Sequence, residues 1–129
     1  YYFIKFWSNW LDIKKKWESL VDFVSQRFGD GEPLDLQAIL FLIGVNELGK
    51  GYREFSKDEK MNLLHIAICK LLSRYGYYDF VGKDEDGWPH WETNSELPTL
   101  KAEEQTLLMK EAAIIYFSES GVDFQSSKQ

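Results

Sequence analysis

Cysteine is nearly absent from this chain of 129 residues, and Cys69 stands alone. One cysteine can form neither an intramolecular disulfide nor a cysteine-based metal cluster. With no signal-peptide pattern, that usage favours a reducing cytoplasm. Long apolar runs are missing too. The longest, residues 38–45, is broken only by Gly44 and is too short to span a bilayer. No region carries net positive charge. Residues 1–33 hold five basic and five acidic groups, residues 34–93 seven and ten, and residues 94–129 three and six. The electrostatic footprint of a nucleic-acid binder is therefore missing, and an acidic chain is repelled by anionic membranes.

Several catalytic signatures are also lacking. There is no G-x-S-x-G, no H-E-x-x-H and no dinucleotide fingerprint. Gly49-Lys50-Gly51 has neither the spacing of a phosphate loop nor a strand before it. His90-Trp91-Glu92 has the H-x-E spacing of zinc deaminases, but their P-C-x-x-C partner segment cannot exist with one cysteine. Asp84-Glu85-Asp86-Gly87 is acidic, yet its glycine falls fourth and Ser95 occupies the twelfth position, so the EF-hand pattern fails. It reads as a solvated hairpin tip. These absences predict no catalytic set, no metal and no cofactor.

What the chain has in excess is aromatic surface. Aromatics make up 16% of residues, with five Trp, seven Tyr and nine Phe, while the hydrophobic share of 44% and charged share of 28% are ordinary. A chain this long suits one domain that buries about two thirds of its unfolded surface. Large rings then fill a core or sit at an interface.

Periodicity assigns the elements. Phe3, Phe6, Trp10, Ile13, Trp17, Leu20 and Val24 step by three and four, on one helical face. Ser8 and Asn9 interrupt the stripe as good N-caps, so residues 1–7 are expected to form a separate aromatic arm. Gly29, Gly31 and Pro33 end this first helix. A second helix, about residues 35–48, is apolar nearly all round and is expected to be the buried spine, with Gly44 admitting another backbone. The third opens on a capping box, Ser56 to Glu59, and runs to Arg74, with Gly76 closing it. Met61, Leu64, Ile68, Leu71 and Leu72 are its expected stripe, widened by Leu63, Ile66 and Ala67. Residues 77–81 and 88–93 are β-prone and flank an Asp86-Gly87 turn, which predicts a hairpin. Pro89 makes its second strand short or places it at an edge. The last helix, near residues 99–118, starts from Thr99 and buries Leu107, Leu108, Ala112 and Ile115, with Ile114 and Phe117 beside them.

The fold class expected is mainly α, with about four helices packed as one domain and a small β-hairpin between the third and fourth. The parts are an aromatic arm and amphipathic helix over residues 1–33, a helical core over 34–121 with the hairpin at 77–93, and a polar tail over 122–129.

Residues 36–45, 47–51, 55–60, 65–69 and 76–90 together resemble a family of short uncharacterised cytosolic proteins from Bacteroidetes-type bacteria. The resemblance covers about residues 34–118. That family carries no assigned activity, so the resemblance implies one compact helical domain in the cytosol and transfers no functional residues.

Two groups remain as candidate sites. Phe3, Phe6, Trp7, Trp10, Trp17, Trp88 and Trp91 are the partner-binding candidates, because a small globule rarely leaves so much ring surface in water. They predict a non-enzymatic interaction module, an adaptor or subunit that binds a protein partner or itself. His65, Cys69 and His90 are weaker ligand-binding candidates. His65 and Cys69 are four apart on one helical face, a spacing that suits two metal ligands or a Cys–His dyad, but no further ligand, oxyanion hole or orienting residue is evident. A small-ligand binder or enzyme using His65 or His90 is thus an alternative, and it needs a polar pocket between the hairpin and the third helix. A winged-helix-like nucleic-acid binder is another alternative, opposed by the acidic tip. Membrane attachment through residues 1–17 is a third, supported only by Lys14, Lys15 and Lys16.

Overall fold

A computed structural model describes residues 10–29, 32–94 and 101–120, without the side chains of Trp10 and Leu11. The expected arm at residues 1–7, the cap candidates Ser8, Asn9 and Thr99, and the tail at 122–129 lie outside these residues. The described elements are α1 (Trp10–Phe28), α2 (Leu36–Leu48), α3 (Lys57–Ser73), β1 (Tyr78–Lys83), β2 (Pro89–Thr93) and α4 (Ala102–Glu119). Four helices with a two-stranded hairpin between the third and fourth match the sequence pattern. The chain divides into two compact units, Tyr1–Asp35 with Leu100–Gln129, and Leu36–Thr99.

In the first unit, α1 and α4 pack on each other. The stripe on α1 is realised from Ile13 onward, because Ile13, Trp17, Leu20 and Val24 are all buried. The Lys110 ammonium sits 5.4 Å from the Trp17 ring centroid, within cation–π range. On α4, Ala112, Ala113 and Ile114 are buried, while Leu107, Leu108, Ile115 and Phe117 are half-buried. The helix starts with half a capping box. The Lys101 N–H donates to Glu104 Oε1 at 2.9 Å, and a lysine ammonium has no lone pair to complete the other half.

The second unit is built on α2 against α3. Gly44 is what lets them approach. A Cβ there would lie 2.2 Å from the Leu63 carbonyl oxygen. That crossing sets which face of α3 is buried. Leu63, Ile66, Ala67, Cys69, Leu71 and Leu72 are its buried residues, whereas Leu64 and Ile68 are half-buried and Met61 is 62% exposed. The residues expected to flank the stripe are its centre, because the close approach is at Leu63 and rotates Met61 outward.

Both ends of α3 are closed as the sequence predicts. Ser56 Oγ accepts from the Glu59 N–H, and Glu59 Oε1 accepts from the Ser56 N–H at 2.8 Å. Arg53 donates to Glu59 Oε2 at 3.0 Å. At the other end Gly76, in the left-handed region, donates to Ser73 and Tyr77 donates to Leu72, a Schellman closure. Leu48, Phe55 and Leu63 form a buried cluster, with Phe41, Val45 and Trp88 packed on it. Trp88 thereby fastens the hairpin to the helices. None of the described helices is long and apolar enough to cross a membrane.

Candidate functional site

The hairpin is irregular where it matters. β1 and β2 pair antiparallel, Phe80 opposite Trp91 and Gly82 opposite His90, with a register shift at Val81. A bulge leaves one residue unpaired and re-aims the side chains beyond it. Phe80 and Trp91 meet edge to face at 5.3 Å between centroids. His90 lies across from a glycine, so no side chain covers it from the opposite strand.

The tip is organised by Asp84. Its Oδ1 accepts from the Asp86 N–H at 2.9 Å and the Trp88 N–H at 3.0 Å, while its Oδ2 lies 2.9 Å from His90 Nε2. Gly87 donates to the Asp84 carbonyl and takes a left-handed φ of 86°, which its lack of a Cβ permits. Lys50 Nζ donates to the Asp86 carbonyl and ties the tip to the loop after α2. The segment expected to be a solvated acidic tip is exposed at Asp84, Glu85 and Asp86, and these bonds also order it. Hydrogen bonds from His90 first, then from the Trp88 and Asp86 backbone, hold the Asp84 carboxyl below its ordinary pKa. Hydrogen bonds from the Ser56 backbone and from Arg53 do the same for Glu59.

Between α3 and this hairpin lies an open cleft of about 360 Å³. Glu59, Asn62, His65 and Ile66 line it from one face of α3, at helical spacing. Asp84, Trp88, Pro89, His90 and Trp91 line it from the hairpin. The two histidines, 25 positions apart in sequence, both line it. His65 contacts Cys69 beneath it, Nε2 to Sγ at 3.5 Å. Cys69 is wholly buried, and burial pushes its thiol up to about 11. A protonated thiol is a poor nucleophile, so this pair is not a thiolate–imidazolium dyad. Trp91 contributes a buried Nε1–H that finds no acceptor among the described residues.

The candidate ligand residues His65 and His90 therefore converge on the cleft, with Cys69 behind the first. The partner-binding candidates are only partly described. Phe3, Phe6 and Trp7 lie outside the described residues, as does the side chain of Trp10. Trp17 is buried, and Trp88 and Trp91 are half-buried cleft walls. Asp84, Glu59 and Asn62 were missed as site residues. Only the capping box marked Glu59, as a structural group, and nothing local marked Asp84 as the partner of His90.

Chemically, the cleft offers two imidazoles, two carboxylates, an amide and two indoles. His90, steadied by a carboxylate, has the arrangement of an oriented base. Among the described residues, no Ser, Thr or Cys lines the cleft to serve as a nucleophile. Among the described residues, no group of three or more His, Cys, Asp or Glu is placed to hold a metal ion. No protein-family model matches the chain, and neither a curated protein nor a solved structure matches it.

Proposed function

We propose that this chain is a small-molecule-binding module and that its site is the cleft between α3 and the hairpin. The observation that carries this reading is the convergence of His65 and His90 with Asp84, Trp88 and Trp91 around one concavity of about 360 Å³. Ligand pockets run from roughly 300 to 1,000 Å³ and combine apolar or aromatic walls with a few placed polar groups. A cleft at the lower end of that range suits a ligand of one or two rings. A reducing cytoplasm suits it as well, since Cys69 then stays a thiol donor to His65. Ligand-observed NMR with a fragment set tests the reading. Ring-containing fragments bind the native chain, and binding weakens in a His65→Ala/His90→Ala variant. Equal binding to both proteins, or none to either, refutes it.

An interaction module is the second reading. Phe80 and Val81 favour it, because these adjacent apolar side chains are 54% and 60% exposed on β1. It calls for a protein partner or a second copy. Light scattering across a concentration series, with Val81→Asp as the control, tests the self-association form.

A further inference from the structure

Each histidine in the cleft spends the same ring nitrogen, Nε2, on a neighbour of its own. The two neighbours are chemically opposite. Asp84 meets His90 with a carboxylate, which only accepts hydrogen bonds. His90 Nε2 must then carry the proton, and its Nδ1 is left with a lone pair. Cys69 meets His65 with a buried thiol. A thiol is a weak donor and a weaker acceptor, whereas an unprotonated imidazole nitrogen accepts well. His65 Nε2 is then the acceptor, and the ring proton resides on Nδ1. A hydrogen bond to one imidazole nitrogen fixes the tautomer presented by the other.

Resting on the reading of the cleft as a ligand site, we propose that Asp84 and Cys69 hold His90 and His65 in opposite neutral tautomers, and that the cleft takes an uncharged planar heterocycle bearing both a hydrogen-bond acceptor and a donor. The His65 Nδ1–H meets the acceptor and the His90 Nδ1 lone pair meets the donor. Trp88 and Trp91 add aromatic walls. An anion finds Asp84 and Glu59 on the walls and no lysine or arginine among the described lining residues, Arg53 being spent on Glu59. A cation finds both carboxylates already engaged, Asp84 by His90 and two backbone N–H groups, Glu59 by Arg53 and Ser56. A neutral ring with a lactam edge avoids both difficulties.

Asp84 permits a sharp test of the tautomers. Its Oδ1 is committed to two backbone N–H groups, so an Asp84→Asn side chain keeps its oxygen there and turns its NH₂ toward His90. His90 Nε2 then becomes an acceptor, and its proton moves to Nδ1.

Long-range ¹H–¹⁵N spectra of the free chain, above the pH at which the rings are neutral, read each tautomer directly. The expected result is Nδ1–H for His65 and Nε2–H for His90, with His90 alone inverted in Asp84→Asn and the backbone amide map otherwise kept. The same spectra then follow titration with uracil and with 1,3-dimethyluracil, which lacks the N–H donors. Uracil shifts both rings, and the dimethyl compound binds roughly two- to tenfold more weakly, the loss of one net hydrogen bond. Matching tautomers in the free chain, or no inversion in the variant, overturns the tautomer lock whatever binds. Correct tautomers with no uracil response, while other fragments occupy the cleft, overturn the ligand class and leave the cleft a ligand site. Silence from every fragment overturns the cleft reading itself.

Discussion

Asp84 Oδ2 lies 2.9 Å from His90 Nε2, and the same carboxylate closes the hairpin tip through its other oxygen. One side chain therefore holds both the loop and the imidazole that faces the cleft. This links tip order to the site. Whatever loosens the tip also releases His90.

Acid is expected to release it. The carboxyls of Asp84 and Glu59 are both held below their ordinary values of 3.8 and 4.5. A carboxyl whose pKa is depressed in the folded chain contributes stability that is present above its unfolded pKa and lost as pH falls through the folded one. The stability that these two carboxyls give the hairpin tip and the start of α3 is thus fully present from neutral pH down to the ordinary carboxylate range, and it is lost below it. Carboxyl carbon shifts followed by NMR give midpoints below 3.8 for Asp84 and below 4.5 for Glu59. Midpoints at or above those values contradict the pairing.

Gly44→Ala tests the helix crossing. The added methyl meets the Leu63 carbonyl oxygen at 2.2 Å, and neither backbone can yield without moving its helix. Overpacking of this kind costs about 1–3 kcal/mol, more than the roughly 1 kcal/mol that alanine gains over glycine inside a helix. A lower urea midpoint with an unchanged slope is expected. A stabilised variant contradicts the close approach.

Cys69 is expected to be inert in the folded chain. Its sulfur is buried, and its thiol is raised to about 11. Iodoacetamide at pH 8 therefore modifies it only when the chain opens, and sub-denaturing urea speeds the reaction. Labelling as fast as a free thiol, in the absence of urea, refutes this placement.

Trp91→Phe probes the indole N–H that has no acceptor among the described residues. A buried donor without a partner costs about 1–3 kcal/mol. Phenylalanine removes that N–H and keeps a ring against Phe80. The variant is expected to lie within about 1 kcal/mol of the native chain, against a larger loss for a Trp91→Ala truncation, which also removes the ring packed on Phe80. Chemical denaturation measures both. A Phe variant as damaged as the Ala variant shows that the indole nitrogen has an acceptor.

Much of the fold was legible because its signals are local. The Ser56 and Glu59 box, the Gly76 closure, the Asp86-Gly87 turn and the α1 stripe from Ile13 to Val24 each depend on residues within about three helical turns of one another. Gly44 was legible for a different reason, since a glycine inside an apolar helix has few other uses. The face of α3 was not legible. Leu63, Leu64, Ile66, Ala67 and Ile68 form a broad apolar band, and only the crossing at Gly44 decides that Leu63 is central and Met61 outside. The site was less legible still. His65 and His90 come to one cleft through tertiary packing, and the Asp84–His90 pair sits beyond a register shift at Val81 that no periodicity announces. Asp84 also looked like part of an acidic run, where a solvated role is the ordinary one.

The central claim is that the cleft between α3 and the hairpin is a binding site. Backbone amide mapping with the strongest fragment found tests it most directly. The expected shifts concentrate at Glu59, Asn62, His65 and Ile66 and at residues 84–91, saturating with one ligand per chain. Shifts centred on other surfaces, with these residues unmoved, would contradict it.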